Sequence, residues 1–142
     1  RTGIADYSAE LLPALAQQVV AIALGKAEPR IEVGDVDVTR DFTDVRDVVA
    51  AYADILAHGE AGSTYVVSSG REQSVRGLLE AMCEIENIEP DIYQVAKKLR
   101  PAEQRRMWAN SDLLTKRTGW TPRIPIQQTL HDILKDAREF YD

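Results

Sequence analysis

The sequence predicts a mixed fold of the α/β or α+β class. Two observations carry this. Apolar residues recur at helical spacing in several long stretches, and short runs rich in β-formers lie between those stretches. Helices and short strands therefore alternate along the chain, as they do where helices cover a sheet. No internal repeat or low-complexity segment interrupts the pattern, and 142 residues suit a single domain over residues 1–142.

Leu11, Leu15, Val19 and Ile22 share one helical face, which Leu12, Val20 and Leu24 widen. They predict a helix over about 10–24, with Pro13 tolerable only near its first turn and Gly25 as the C-cap. Arg30-Ile31-Glu32-Val33 alternates and predicts a short strand; Thr39 to Phe42 predicts a second. Asp44 is an N-cap candidate for a helix ending near His58-Gly59, with Val45, Val48, Val49, Tyr52, Ile55 and Leu56 as its apolar stripe. Ser63 to Val67 reads as a strand ended by Ser68-Ser69-Gly70. Ser74 should cap a helix whose inner face is Val75, Leu78, Leu79, Met82 and Ile85. A strand follows over Asp91 to Val95. Ser111 is the N-cap candidate of a short helix ended by Gly119. Pro125 opens the last helix, with Ile126, Leu130, Ile133, Leu134 and Ala137 inward.

Bulk properties exclude several classes. The net charge of -6 argues against coating nucleic acid, which needs a basic face. The longest apolar-rich stretch, Val19 to Leu24, is far short of the roughly 20 residues that span a bilayer. The single cysteine, Cys83, forms no intramolecular disulfide and fits a reducing compartment, hence the cytoplasm. His58 and His131 have no paired ligand spacing, so no metal site is expected. The chain does not begin with Met, which reads as a cut or processed start.

The residue patterns offer little catalysis. The eight glycines are scattered, with no Gly-rich fingerprint between a strand and a helix. Tyr93 has Lys97 four residues on, but in a strand and loop rather than on a helix. Arg100, Arg105 and Arg106 instead concentrate positive charge in an acidic chain, with Glu103 among them. Arginine is a planar, permanently charged donor suited to diphosphate, and a carboxylate accepts two parallel hydrogen bonds, as from a ribose diol. The plain alternative is a solvated charged loop. For Arg40 the plain alternative is a surface pair with Asp41; for Trp120 it is a structural plug, and for Cys83 a packed, inert thiol.

Five words in order carry a resemblance: Val33-Gly34-Asp35; Arg40-Asp41-Phe42-Thr43-Asp44-Val45-Arg46-Asp47-Val48; Tyr65-Val66-Val67-Ser68-Ser69-Gly70; Leu99-Arg100-Pro101-Ala102-Glu103; and Thr118-Gly119-Trp120-Thr121-Pro122-Arg123-Ile124-Pro125. On these, the chain resembles the C-terminal part of extended short-chain dehydrogenase/reductases acting on nucleotide sugars, the NAD-dependent epimerase/dehydratase family. The Arg-Asp-Phe-Thr-Asp version is similar to the branch reducing GDP-4-keto-6-deoxy-mannose. GDP-mannose 4,6-dehydratases, which usually carry Trp-Gly after the Arg-Asp, are the alternative, as are other nucleotide-sugar epimerases and dehydratases. A third alternative is an isolated, non-catalytic substrate or interaction domain.

The resemblance implies an α/β fold: the nucleotide-sugar-binding part of an extended Rossmann-type reductase, helices with short strands, the N-terminal Rossmann half lying upstream of Arg1. That half would bind NADP or NAD and carry the catalytic residues, so none is assigned here and the chain alone should be inactive. The helix after Asp44 and the strand Ser63 to Val67 would pack apolar residues on that half, so in this chain alone part of those faces should be exposed or drive association. The complete enzyme would pass a hydride to a C4 ketone while a tyrosine, its pKa lowered by a lysine, gives the proton. The resemblance also implies that Arg40 contacts the diphosphate or nucleotide end, and that Arg100 and Glu103 hold diphosphate and ribose. Gln17 falls where relatives often have Lys or Arg facing the phosphates. Leu11 falls where the backbone meets the base. Val66 in place of the commoner Asn, and Ile4 in place of a loop Pro, depart from the pattern. Partners implied are a nucleotide sugar and, for the complete protein, a second copy, since relatives dimerise through helices of the other half.

Overall fold

The computed structural model describes residues 3–95 and 109–141, with side chains from residue 11 onward. In chain order the elements are α1 (Gly3–Ala23), β1 (Arg30–Val33), β2 (Thr39–Asp41), α2 (Val45–His58), β3 (Glu72–Ser74), α3 (Val75–Ile85), β4 (Asp91–Gln94), α4 (Asp112–Thr118) and α5 (Ile126–Glu139). The class is α/β. The described residues fall into two compact units.

The first unit takes 3–38, 74–95 and 130–141. Its core is built largely where the apolar periodicity places it, although Leu24 is exposed. Leu12, Leu15, Ala16, Val19 and Val20 of α1 are buried, as are Val75, Leu78, Leu79 and Met82 of α3 and Leu130, Leu134 and Ala137 of α5. α1 packs on β1 and on α3. β1 and β4 pair in parallel, with Ile31 opposite Ile92. A parallel pair needs a crossover, and α3 lies in the chain between these two strands. α1 is longer than the periodicity predicts and runs through Pro13. Pro13 is exposed, so its ring displaces no core side chain. Gly25 ends the helix with φ of 71°, its N–H reaching the Ile22 carbonyl at 3.0 Å. The Gln18 amide acts as a spare peptide group for β1: it accepts from Glu32 N–H at 3.0 Å and donates to Glu32 O at 3.1 Å.

The start of α3 shows how this unit satisfies a helix N-terminus. The first N–H groups of a helix lack intrahelical acceptors. Val75 N–H reaches Val38 O at 3.2 Å, Arg76 N–H reaches Val36 O at 3.0 Å, and Gly77 N–H reaches the Ser74 hydroxyl at 3.1 Å. Ser74 is thus the expected N-cap.

The second unit takes 39–73 and 109–129. Ala51, Leu114 and Trp120 form its core, with Ile55, Tyr65 and Val67 packed against them. Here the structure bears out one expectation and corrects another. The first concerns α2, which buries Ala51 and half-buries Val48 and Ile55 but leaves Val45, Val49, Tyr52 and Leu56 exposed by 70, 60, 59 and 90%. Periodicity marks an apolar face without saying what covers it. The second concerns residues 63–67, which form no strand. A strand needs a ladder partner, and these residues have none among the described ones. Tyr65 and Val67 point to the core while Val66 is 47% exposed, so the alternation survives without the ladder. β3, only three residues long, was not anticipated. Ser111 precedes α4, but its hydroxyl donates to Ser68 O at 3.2 Å instead of capping, and Asn110 Oδ1 accepts from Asp112 N–H at 2.6 Å.

Candidate functional site

Arg40 is the middle residue of β2, which pairs with β3. Its side chain is half-buried, and its Nη1 donates to Thr39 O at 2.7 Å. The Thr39 hydroxyl donates to the Glu72 carboxylate across the two strands. The Asp41 carboxylate accepts from Ser69 N–H at 3.1 Å, the Ser69 hydroxyl at 2.6 Å and Gly70 N–H at 3.1 Å. Asp41 is therefore a fixed structural acceptor rather than a simple surface counterion.

The next two acidic residues of this stretch are also committed. Asp44 caps α2 by accepting from Arg46 N–H at 2.9 Å, takes the Arg46 guanidinium on both oxygens, and accepts from the Thr129 hydroxyl at 2.8 Å. The Arg46 hydrogen bond to its side chain, joined by the other donors, outweighs burial and holds the carboxyl at about 2. Asp47 is buried and accepts from the backbone N–H groups of Arg123 and Ile124 at 3.0–3.1 Å. Trp120 is 3% exposed, the plug the sequence predicts. A run that reads in sequence as alternating charge is thus a set of clips that holds Arg40's strand, α2 and residues 120–124 within one unit.

The other predicted contacts lie elsewhere. Leu11 and Gln17 are on α1 in the first unit, Leu11 half-buried and Gln17 exposed. Gln17 is free of the β1 contact that occupies its neighbour Gln18. Arg100 and Glu103 lie outside the described residues, as do Lys97, Arg105 and Arg106. Tyr93 sits on β4 with the Arg30 guanidinium stacked 4.1 Å from its ring centre. Cys83 is buried, and burial pushes its thiol pKa up. Among the described residues no group of three His, Cys, Asp or Glu side chains could hold a metal ion, and no helix is long and apolar enough to cross a membrane.

Sequence reasoning missed Thr39 and Glu72 as the neighbours that fix β2. Asp41 was visible inside its word, but nothing marks Glu72, because a three-residue strand is too short to show alternation.

Residues 9–133 match the family model described as GDP-mannose 4,6 dehydratase. The chain is 44% identical over 126 residues to GDP-6-deoxy-D-mannose reductase of Pseudomonas aeruginosa, covering 89% of this chain and 41% of that protein. It is 26% identical over 108 residues to a trifunctional UDP-glucose 4,6-dehydratase/UDP-4-keto-6-deoxy-D-glucose 3,5-epimerase/UDP-4-keto-L-rhamnose-reductase of Arabidopsis thaliana, covering 76% of this chain and 15% of that one. Among solved structures, RMD from Pseudomonas aeruginosa complexed with NADPH superposes with a TM-score of 0.87 at 42% identity, over 93% of this chain and 43% of that one. UDP-glucose 4-epimerase with UDP-glucose from Thermotoga maritima superposes at 0.72 and 22% identity, over 91% and 40%, a likeness of fold. The chain thus spans about two fifths of the length of the reductase it matches. With its model matched over residues 9–133, the chain belongs to the GDP-mannose 4,6 dehydratase family.

Proposed function

We propose that this chain is the nucleotide-sugar-binding portion of an NAD(P)-dependent reductase whose substrate is GDP-4-keto-6-deoxy-mannose. The observation that carries the reading is the 44% identity, over 89% of the chain, to a GDP-6-deoxy-D-mannose reductase. In this reading Arg40 and Arg100 bind the diphosphate, Glu103 accepts from the ribose hydroxyls, Gln17 donates to a phosphate oxygen, and the backbone at Leu11 meets the base. Arginine suits the first role because its fork matches phosphate oxygens and stays charged. Gln17 donates without a charge, which lowers its contribution. Binding energy from the nucleotide end then holds the sugar where its carbonyl reacts.

Among the described residues no glycine-rich turn suits a dinucleotide. The positive-φ glycines of the described residues, Gly25, Gly62, Gly70 and Gly119, are widely separated, and none belongs to a Gly-rich turn between a strand and a helix. In this reading NAD(P) chemistry belongs to the part of the reductase that this chain, at 41% of its length, does not span, and the complete protein is read as a cytoplasmic homodimer. The family model favours a second reading, GDP-mannose 4,6-dehydration. Phe42-Thr43 after Arg40-Asp41 speaks for the reductase. Incubating the complete protein separately with GDP-4-keto-6-deoxy-mannose plus NADPH and with GDP-mannose alone separates the two. Consumption of NADPH in the first mixture is the expected result; appearance of a 4-keto sugar in the second, with none consumed in the first, would transfer the assignment to the dehydratase.

A further inference from the structure

The two flanks of Arg40 are both tied to one short segment, residues 69–72. Successive side chains of a strand point to opposite faces, so Thr39 and Asp41 share one face of β2 and Arg40 takes the other. On one flank the Thr39 hydroxyl donates to Glu72. On the other, Asp41 gathers the Ser69 N–H, the Ser69 hydroxyl and the Gly70 N–H at 2.6–3.1 Å. Gly70 has φ of 71°, a conformation side chains resist, so the segment can turn back here. The Ser69 hydroxyl also accepts from Arg71 N–H at 3.1 Å, closing the turn just before Glu72 begins β3. The backbone from which Arg40 departs is thus clamped on both sides. Its guanidinium rests on the carbonyl of Thr39, the residue that Glu72 holds.

We propose that Asp41 and Glu72 are positioning residues for Arg40, acting through the 69–71 turn and Thr39 to aim the guanidinium at a diphosphate. This rests on the reading of Arg40 as a diphosphate contact. A long arginine side chain loses rotamer freedom on binding, and a clamped strand removes part of that cost beforehand. Loosening either clamp spreads the guanidinium over more positions. Affinity then falls for the diphosphate and not for the nucleoside.

The test is calorimetric titration of the complete protein with GDP and with guanosine. Arg40→Ala should weaken GDP binding at least about tenfold. Glu72→Ala and Asp41→Asn should each weaken it about three- to tenfold, with guanosine within about twofold of wild type. Glu72→Gln keeps an acceptor oxygen for Thr39 and should recover most of the loss. In an Arg40→Ala background, Glu72→Ala should add nothing, because it acts through the missing side chain. Full additivity overturns the proposal, and so does equal loss for GDP and guanosine, which marks a merely structural role. If Arg40→Ala weakens GDP while Glu72→Ala and Asp41→Asn leave it unchanged, the clamp is refuted and the Arg40 contact stands. If Arg40→Ala itself changes nothing, the Arg40 assignment falls and takes the clamp with it.

Discussion

The indole N–H of Trp120 donates to the backbone carbonyl of Asp47 at 2.9 Å, while the Asp47 carboxylate accepts the backbone N–H groups of Arg123 and Ile124. One residue of α2 thus uses its main chain to hold the aromatic plug and its side chain to hold the turn after it. Asp47 and Trp120 are buried, so losing the indole bond strands polar groups away from water, whereas the bonds to Arg123 and Ile124 are only part-buried.

Asp47→Ala should cost about 1–2 kcal/mol, since it removes the acceptor of two part-buried backbone donors. Trp120→Phe keeps most of the aromatic volume and should also cost about 1–2 kcal/mol, for the one lost bond, which is buried. Urea unfolding of each variant measures both. Losses under about 0.5 kcal/mol for Asp47→Ala would show that the clip does not hold the unit together.

Stability should fall in acid through Asp44. Its folded pKa is held at about 2, below the ordinary 3.8, so folding favours the ionised form. The contribution is complete above pH 4 and is lost as pH falls towards 2. The size is about 1–2 kcal/mol, reduced because the Arg46 partner is 53% exposed. Asp44→Asn should be less stable at pH 6 and should show a flatter pH dependence between 4 and 2. An unchanged acid slope would assign that loss to other carboxylates.

The exposed α2 stripe predicts association. Val45, Val49, Tyr52 and Leu56 follow one another at spacings of four, three and four residues, a continuous apolar line on one helix face. The isolated chain should self-associate as its concentration rises, and Val49→Glu with Leu56→Glu should restore a monomer. Sedimentation of both proteins reads this directly. A strictly monomeric wild-type chain would contradict the prediction.

Cys83 should be inert in the folded protein. It is 7% exposed and its thiol pKa is raised by burial, with Glu80 adding to the effect, so little thiolate is present to react. Labelling with a thiol reagent at pH 8 should be negligible in buffer and complete in denaturant. Rapid labelling of the native chain would mean that α3 opens locally.

Most of the fold was legible because periodicity, caps and turn residues agree at the same places. Asp44, Ser74, Gly25 and Gly119 all stand where their chemistry required. The exposed α2 face follows from the resemblance and not from periodicity, because an apolar stripe looks the same whether it faces this chain's core or another surface. Residues 63–67 were misread because β-propensity reports a fit to a pleated surface, while a strand also requires a neighbour. For the candidate site, sequence supplied Arg40 and its acidic neighbours. The link from Thr39 to Glu72 spans 33 residues and has no local signature.

If this chain binds a GDP-sugar through arginines and a glutamate, the loss of Arg100 should be felt strongly. The measurement is calorimetric titration of GDP, UDP and dTDP into the complete protein, wild type and Arg100→Ala. GDP should bind most tightly, and Arg100→Ala should weaken it by about 2–4 kcal/mol, the range for losing one partner of a desolvated charge pair. Equal GDP affinity in the two proteins would contradict the site, and a preference for UDP or dTDP would contradict the GDP-sugar assignment.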